Sequence, residues 1–319
     1  KANDGIRING ADLRAKVVGE GGNLGATQLG RIEAAANGVK LNTDAIDNSA
    51  GVDTSDHEVN IKILLNHAIT SGSLKAEERN DLLASMTDEV GLQVLRDNYE
   101  QNVVLEQSRS HAGPMLRVHQ RVMHGLETSG LLNRAVEYLP TDAQIDTLHN
   151  AGKGLTSPEL SVLMAYVKID MKQVKPETTL YDEPWCSAVL RSYFPTALRG
   201  KFADLMETHP LRKQIISTVL TNDMVNHGGI TFAARAVEET GAGPDEIVRA
   251  YKVTREVFNF AEIWDAIEAL DGKASTECQT ELYLEARRLL DRSVRWFLQA
   301  RGGRLDVDAE IAKFQERVT

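Results

Sequence analysis

RAKVVGEGGNLGATQLGRIEAAANGVKLNTDAIDNSAGVDTSDHEVN, residues 14–60, is the stretch on which the reading of the fold turns. It opens on a short run with two β-branched residues, Val17 and Val18, and breaks at Gly19-Glu20-Gly21-Gly22-Asn23-Leu24-Gly25. A β-branched run closed by glycines reads as a buried strand entering a turn. Leu29, Ile32, Ala35 and Ala36 then recur at helical spacing behind Thr27, a hydroxyl suited to an N-cap, and Gly38 stands where a C-terminal cap belongs. Val39 to Leu41 returns to extended character. Strand, glycine turn, helix, strand is a βαβ unit, whose ligands gather at the carboxyl ends of its strands.

The glycines alone do not identify a cofactor. Gly19, Gly21 and Gly25 are spaced G-x-G-x-x-x-G, looser than a pyrophosphate fingerprint, with Asp44 or Asp47 standing where a ribose acid would. A turn that needs positive φ accounts for the same glycines without a ligand. More telling is Asp47-Asn48-Ser49-Ala50-Gly51-Val52, which follows the second extended run at the position where an α/β fold presents its ligand loops. A helix carrying Val59, Ile61, Ile63, Leu64 and Leu65 is predicted from Asp53 to about Thr70, with Ser55-x-x-Glu58 fitting a capping box at its start.

Taken together, the two loops resemble the paired asparagine loops near the end of the coenzyme domain in the glutamate dehydrogenase family. There the first loop has the form E-G-x-N and the second N-x-G-G-V-x-x-S. The matching residues are Glu20-Gly21-Gly22-Asn23, then Asn48, Gly51, Val52 and Ser55. The wording is most similar to that of the large bacterial NAD-specific members. The resemblance implies NAD as cofactor and L-glutamate and 2-oxoglutarate as substrate and product. It implies coenzyme contacts at Gly21, Gly22, Asn23 and Asn48 and substrate contacts at Val52 and Ser55. It also implies that the pyrophosphate loop and the catalytic lysine and aspartate lie upstream. The chain is then expected to be a carboxyl-terminal fragment with no catalytic residue of its own. Departures from the small hexameric members are Gly25 for a proline, Ala50 for a glycine and Asp56-His57 for an aromatic pair; these bear on the substrate contacts.

A chain of 319 residues with 42% hydrophobic content has ample material for a core. A net charge of −10 argues against a nucleic-acid partner, because phosphate binding calls for clustered Lys and Arg. Cys186 and Cys278 stand far apart without a CxxC, so neither a disulfide framework nor a zinc site is expected, and a cytoplasmic setting fits. No apolar run reaches the length of a membrane span.

Beyond Ser71-Gly72-Ser73 the pattern becomes helix upon helix. The predicted spans are 75–86, 88–108, one from Gly113-Pro114 to near Gly130, and others beginning at Thr141-x-x-Gln144 and at Ser157-Pro158. Leu160, Leu163, Met164, Val167 and Met171 form a core stripe. After a proline-bearing interruption at 174–184, helices are expected at 185–206, 210–225, 229–240, 244–258, 261–271, 276–300 and 306–317. The expected fold is therefore mainly α-helical with a short α/β (Rossmann-like) remnant at the N-terminal end. Residues 1–72 would be the last part of the NAD-binding domain and 73–319 a helical C-terminal domain.

Other constellations read as structural. Asp53, Asp56 and His57 fall in the first turn of the predicted helix, where acids act as caps and dipole partners rather than metal ligands. The spacing of His111, His119 and His124 does not place all three on one helical face. Arg287, Arg288, Arg292 and Arg295 read as a solvated face pairing with Glu281, Glu285 and Asp291, and Trp185, Trp264 and Trp296 as core anchors. Two other functions remain open from sequence: a dehydrogenase for a different amino acid, or a non-catalytic helical module for oligomerisation or regulation. Homo-oligomerisation through the parent protein is expected.

Overall fold

The computed structural model describes residues 4–22, 25–173, 177–301 and 304–318. In chain order the helices are α1 Gln28–Ala36, α2 Asp44–Asp47, α3 Ser49–Thr70, α4 Arg79–Ser85, α5 Thr87–Ser110, α6 Ala112–Thr128, α7 Asp142–Asn150 and α8 Ser157–Met171. They continue with α9 Cys186–Tyr193, α10 Thr196–Arg199, α11 Ala203–Glu207, α12 Arg212–Gly228, α13 Phe232–Thr240, α14 Pro244–Val257, α15 Phe260–Glu268, α16 Thr276–Ala300 and α17 Val307–Val318. Two compact units divide them: residues 1–170 with 191–212, and 171–190 with 213–319.

The mainly helical expectation holds, whereas the α/β remnant is not present as a sheet among the described residues. What remains of the βαβ unit is one parallel bridge, Val17 to Lys40, in which Val18 N donates to Lys40 O at 2.9 Å and Lys40 N to Lys16 O at 2.9 Å. Two extended segments bury little, and a parallel pair without further strands or covering helices cannot extend its ladder. The helix between them is as expected. Thr27 Oγ1 accepts from Gly30 N at 3.1 Å, and the chain leaves α1 through Gly38 at φ +92°. There Gly38 N bonds Ala35 O and Val39 N bonds Ala34 O, the paired closure that a left-handed residue makes possible. Ala34, Val39 and Leu41 form a small core with Leu13, Val18 and Ala35 against it.

The first unit is built on α3 packed along α5, with α11 also against α3. Leu64, Leu65 and Ala68 meet a core to which α5 adds Val94, Val104 and Leu105, and each fully buried leucine contributes about 2 kcal/mol on leaving water. Leu160, Leu163, Met164 and Val167 of α8 are buried, as their spacing predicts. The capping box of α7 is present, Gln144 N donating to Thr141 Oγ1 and Thr141 N to Gln144 Oε1. The second unit centres on α14, against which α16 and α17 lie; Ile247, Ala250, Tyr251, Val253 and Val257 are its buried face.

Several local expectations need correction. α3 begins at Ser49, not Asp53, so Ser55 is inside the helix and caps nothing; its hydroxyl donates to Gly51 O at 3.3 Å. Gly51 and Val52, expected in a ligand loop after the second extended run, are thus helical. The span 185–206 is three short helices: Pro195 lacks an N–H and disfavours helix at Phe194. Trp296 is half exposed on the surface of α16, ring against Phe297 and Phe314, rather than a core anchor. Arg287 is half-buried rather than solvated: its Nε donates to His227 O at 3.3 Å, and desolvation pushes its guanidinium down to about 10. Arg288, by contrast, pairs with Glu285 in solvent as expected.

Candidate functional site

Both loops singled out in the sequence lie in the first unit, and one polar network stitches them together. Glu20 is its hub. Its carboxylate accepts from Arg31 Nε at 2.9 Å, from Arg31 Nη2 at 2.6 Å and from Ala26 N at 3.0 Å, which ties Glu20 to α1 and to the segment just before it. Both side chains are nearly out of solvent, and Asp44 Oδ1 is a second partner of Arg31 Nη2 at 3.3 Å. The backbone of Glu20 reaches the other loop directly, its N–H donating to Asp47 Oδ2 at 3.3 Å. Asp47 Oδ1 accepts from Asn42 Nδ2 at 3.0 Å, and Asn42 in turn is held by Asn102 of α5 and Ser157 of α8.

The turn between α2 and α3 is gripped from α5. Asn98 Nδ2 donates to Ile46 O at 2.9 Å and to Ser49 Oγ at 2.9 Å, one contact on each side of Asn48. Asn48 itself is half-buried, and among the described residues its amide has no hydrogen-bond partner. Gly51 makes room for it: a Cβ at position 51 would stand 3.1 Å from both Asn48 Nδ2 and Oδ1. Gly21 and Gly22 are exposed on the first turn, and Asn23 lies outside the described residues. Val52 and Ser55 are exposed along the opening turns of α3. The fold thus brings Gly21, Gly22 and Asn48 onto two joined turns, with Val52 about one helical turn and Ser55 about two turns further on. A free amide beside an uncovered glycine turn suits a ligand that needs both a donor and an acceptor.

A second polar cluster sits on the other side of the same helix. Asp53 and His57 of α3 and Asp97 of α5 each bring one ligand-type atom to within 4.8 Å of the others. His57 lies stacked on Tyr193 with ring centroids 4.4 Å apart. The Tyr193 hydroxyl donates to Asp56 Oδ2 at 2.8 Å and accepts from Asn60 Nδ2 at 2.9 Å. Burial, followed by the charge of Asp53, pushes the Asp97 carboxyl up to about 7; burial also raises Asp53 and lowers His57.

Arg31, Asn42, Asn98, Asn102 and Asp97 were not singled out from the sequence. Arg31 could have been, since it falls on the buried face of a short helix where a cation needs a partner. Nothing local marks Asn98 or Asp97 within a long polar helix. Of the histidines weighed together in the sequence, His111 lies between α5 and α6, His119 is buried in the core, where desolvation pushes its imidazole down to about 4, and His124 meets Asp142 at 2.9 Å on the surface.

Two polar turns joined on a helical scaffold are what the structure shows here, and comparison with known proteins gives the family. The family described as "Glutamate dehydrogenase, C-terminal" matches residues 152–319, and "Bacterial NAD-glutamate dehydrogenase, catalytic domain" matches residues 1–108. The chain belongs to the glutamate dehydrogenase family. It is similar over its whole length to the NAD-specific glutamate dehydrogenases of Pseudomonas aeruginosa, at 45% identity, and Mycobacterium tuberculosis, at 46%. That of Halomonas elongata is 42% identical. The chain spans 20% of the length of each of these relatives. No helix of the described residues is long and apolar enough to cross a membrane.

Proposed function

We propose that the chain is part of an NAD-dependent glutamate dehydrogenase that oxidatively deaminates L-glutamate to 2-oxoglutarate and ammonia. The observation that carries the reading is the Asn48 amide, without a hydrogen-bond partner among the described residues and spaced by Gly51, on a turn whose flanks Asn98 grips and which is tied to the Gly21-Gly22 turn through Glu20 and Asp47. Relatives named as NAD-specific glutamate dehydrogenases, aligned over 318 residues, support the coenzyme and the substrate.

NAD accepts a hydride when bound. The residues that fit it are Gly21 and Gly22, which offer backbone without side chains, and Asn48, whose amide has a donor and an acceptor to spare; Asn23 belongs to the same proposed set. In this scheme Val52 supplies an apolar wall and Ser55 a hydroxyl to the substrate carboxylate, both from the exposed side of α3. Residues 1–72 are the end of a Rossmann-like coenzyme domain in the whole protein, where further strands would complete the ladder begun at Val17 and Lys40. Residues 73–319 form its helical C-terminal domain. The whole protein is cytoplasmic and homo-oligomeric, and the chain alone is inactive because the catalytic lysine and aspartate stand elsewhere.

The test is NADH formation from a panel of L-amino acids by the full-length protein, its Asn48→Ala variant and this chain alone. The expected pattern is glutamate-only turnover, its loss in the variant and none from the chain. Preference for leucine, valine or phenylalanine would make the enzyme a different amino-acid dehydrogenase, and turnover by the chain alone would overturn the placement of the catalytic groups.

A further inference from the structure

Asp53, His57 and Asp97 have no part in the proposed coenzyme and substrate contacts, yet they converge from two helices. Asp53 and His57 are one turn apart on α3, and Asp97 reaches them from α5. His57 is 4% exposed and fixed flat against Tyr193, so its ring cannot turn toward solvent. Its Nε2 faces Asp53 Oδ1 at 4.0 Å, too far for a hydrogen bond. Its Nδ1 is buried without a partner, and so is Asp53 Oδ2. Buried polar atoms are ordinarily satisfied, so one orphan on His57 and another on Asp53, two members of a single cluster, call for a ligand.

Charge points to the sign of that ligand. Two carboxylates at half-buried positions repel unless something positive lies between them. Buried Lys168 acts favourably on both, but Asp56 adds to the negative potential at Asp53 and Glu100 to that at Asp97. A proton shared by the two acids would relieve their repulsion, but it would leave the imidazole unused. A dication uses all three groups.

We propose that Asp53, His57 and Asp97 form a binding site for a divalent first-row transition metal of the zinc or manganese type. One imidazole nitrogen with two carboxylate oxygens is a donor set for such ions, whereas magnesium and calcium favour oxygen alone. Ligand atoms within 4.8 Å of one another need to close by up to about 1.4 Å to meet tetrahedral metal–ligand distances near 2.1 Å. The bound ion clamps the first turns of α3 to α5. If the proposed function holds, it thereby steadies the turns that present Val52 and Ser55.

The experiment is titration of the 319-residue chain, stripped by chelator, with Zn2+, Mn2+ and Mg2+ in turn, read by calorimetry and metal analysis. Asp53→Asn and Asp97→Asn are run alongside, with circular dichroism to check folding. One zinc or manganese per chain is expected, with no uptake of magnesium. Each isosteric variant should weaken binding at least about 100-fold, the upper end of what losing even an outer-shell partner costs. If a variant does not fold, Co2+ absorption and the His57 ring resonances of the unsubstituted chain decide. A nitrogen-ligated spectrum with a shifted His57 supports the site, and an unshifted His57 overturns it. Absence of uptake at millimolar metal, or equal uptake by folded variants, would also overturn it and leave a shared proton between the two acids. Binding is read without coenzyme or substrate, so failure here leaves the dehydrogenase reading intact, and failure of that reading leaves the metal site intact.

Discussion

The pairing of Glu20 with Arg31 is the contact whose removal should cost most at the proposed coenzyme turn. Glu20→Gln keeps the shape and removes the charge. The native carboxylate takes two bonds from Arg31 and one from Ala26 N, at side-chain exposures of 9% for Glu20 and 5% for Arg31. Stripping one partner from a buried pair costs about 3–5 kcal/mol when the other charge is left bare. Here Asp44 remains 3.3 Å from Arg31, so the guanidinium keeps a counter-charge. The expected loss is therefore roughly 2 kcal/mol, or about 4–8 °C in the melting temperature of a unit this size. Urea and thermal unfolding of Glu20→Gln, Arg31→Met and the double variant would measure it, since the double variant no longer strands either group. A coupling energy of about 2 kcal/mol is expected. In the full-length protein the same single variants should raise the KM for coenzyme more than they lower kcat, because the Gly21-Gly22 turn loses its anchor. Additive single effects, with coupling below about 0.5 kcal/mol, would refute the clasp.

Three further outcomes are expected. Gly51→Ala should leave stability unchanged or raise it by up to about 1 kcal/mol, as alanine does inside a helix, while lowering kcat/KM of the full-length protein by displacing the Asn48 amide; unchanged activity would show that the amide does not need that space. His119, with its folded pKa depressed to about 4 from 6.5, contributes stability that is present above pH 6.5 and lost as pH falls toward 4; His119→Leu should remove about 2–3 kcal/mol of the acid loss between pH 7 and 4.5, read by urea unfolding at each pH. Arg287→Ala should cost about 2 kcal/mol or more through its lost bond to His227 O and lost packing, whereas Arg288→Ala should stay within about 0.5; equal effects would return both to one solvated face.

Sequence by itself determined the helical character and many helix ends. The hydroxyl of Thr27, the left-handed exit at Gly38, and the reciprocal pair of Thr141 and Gln144 act over three or four residues, so their hydrogen bonds are implied by spacing alone. Glycine-and-asparagine wording at Glu20–Asn23 and Asn48–Ser55 was likewise enough to point to the family. Local pattern misled where two meanings share one residue: Gly51 read as loop yet lies in α3, and Arg287 shares a sequence run with Arg288 yet is half-buried and bonded to the His227 carbonyl.

Tertiary structure decided how the two turns are joined and what lies behind them. Arg31 meets Glu20 across 11 residues, Glu20 meets Asp47 across 27, and Asn98 meets Ile46 across 52. Such separations carry no local signal, because the register between partners is set by how α1, α2 and α5 come together in the folded unit. The packing of α3 along α5 carries Asp97 to Asp53 and His57, whose sequence neighbourhood shows only acids at the head of a helix. Buried charges and amides must find partners wherever packing places them, and that requirement is settled by the folded core rather than by adjacent residues.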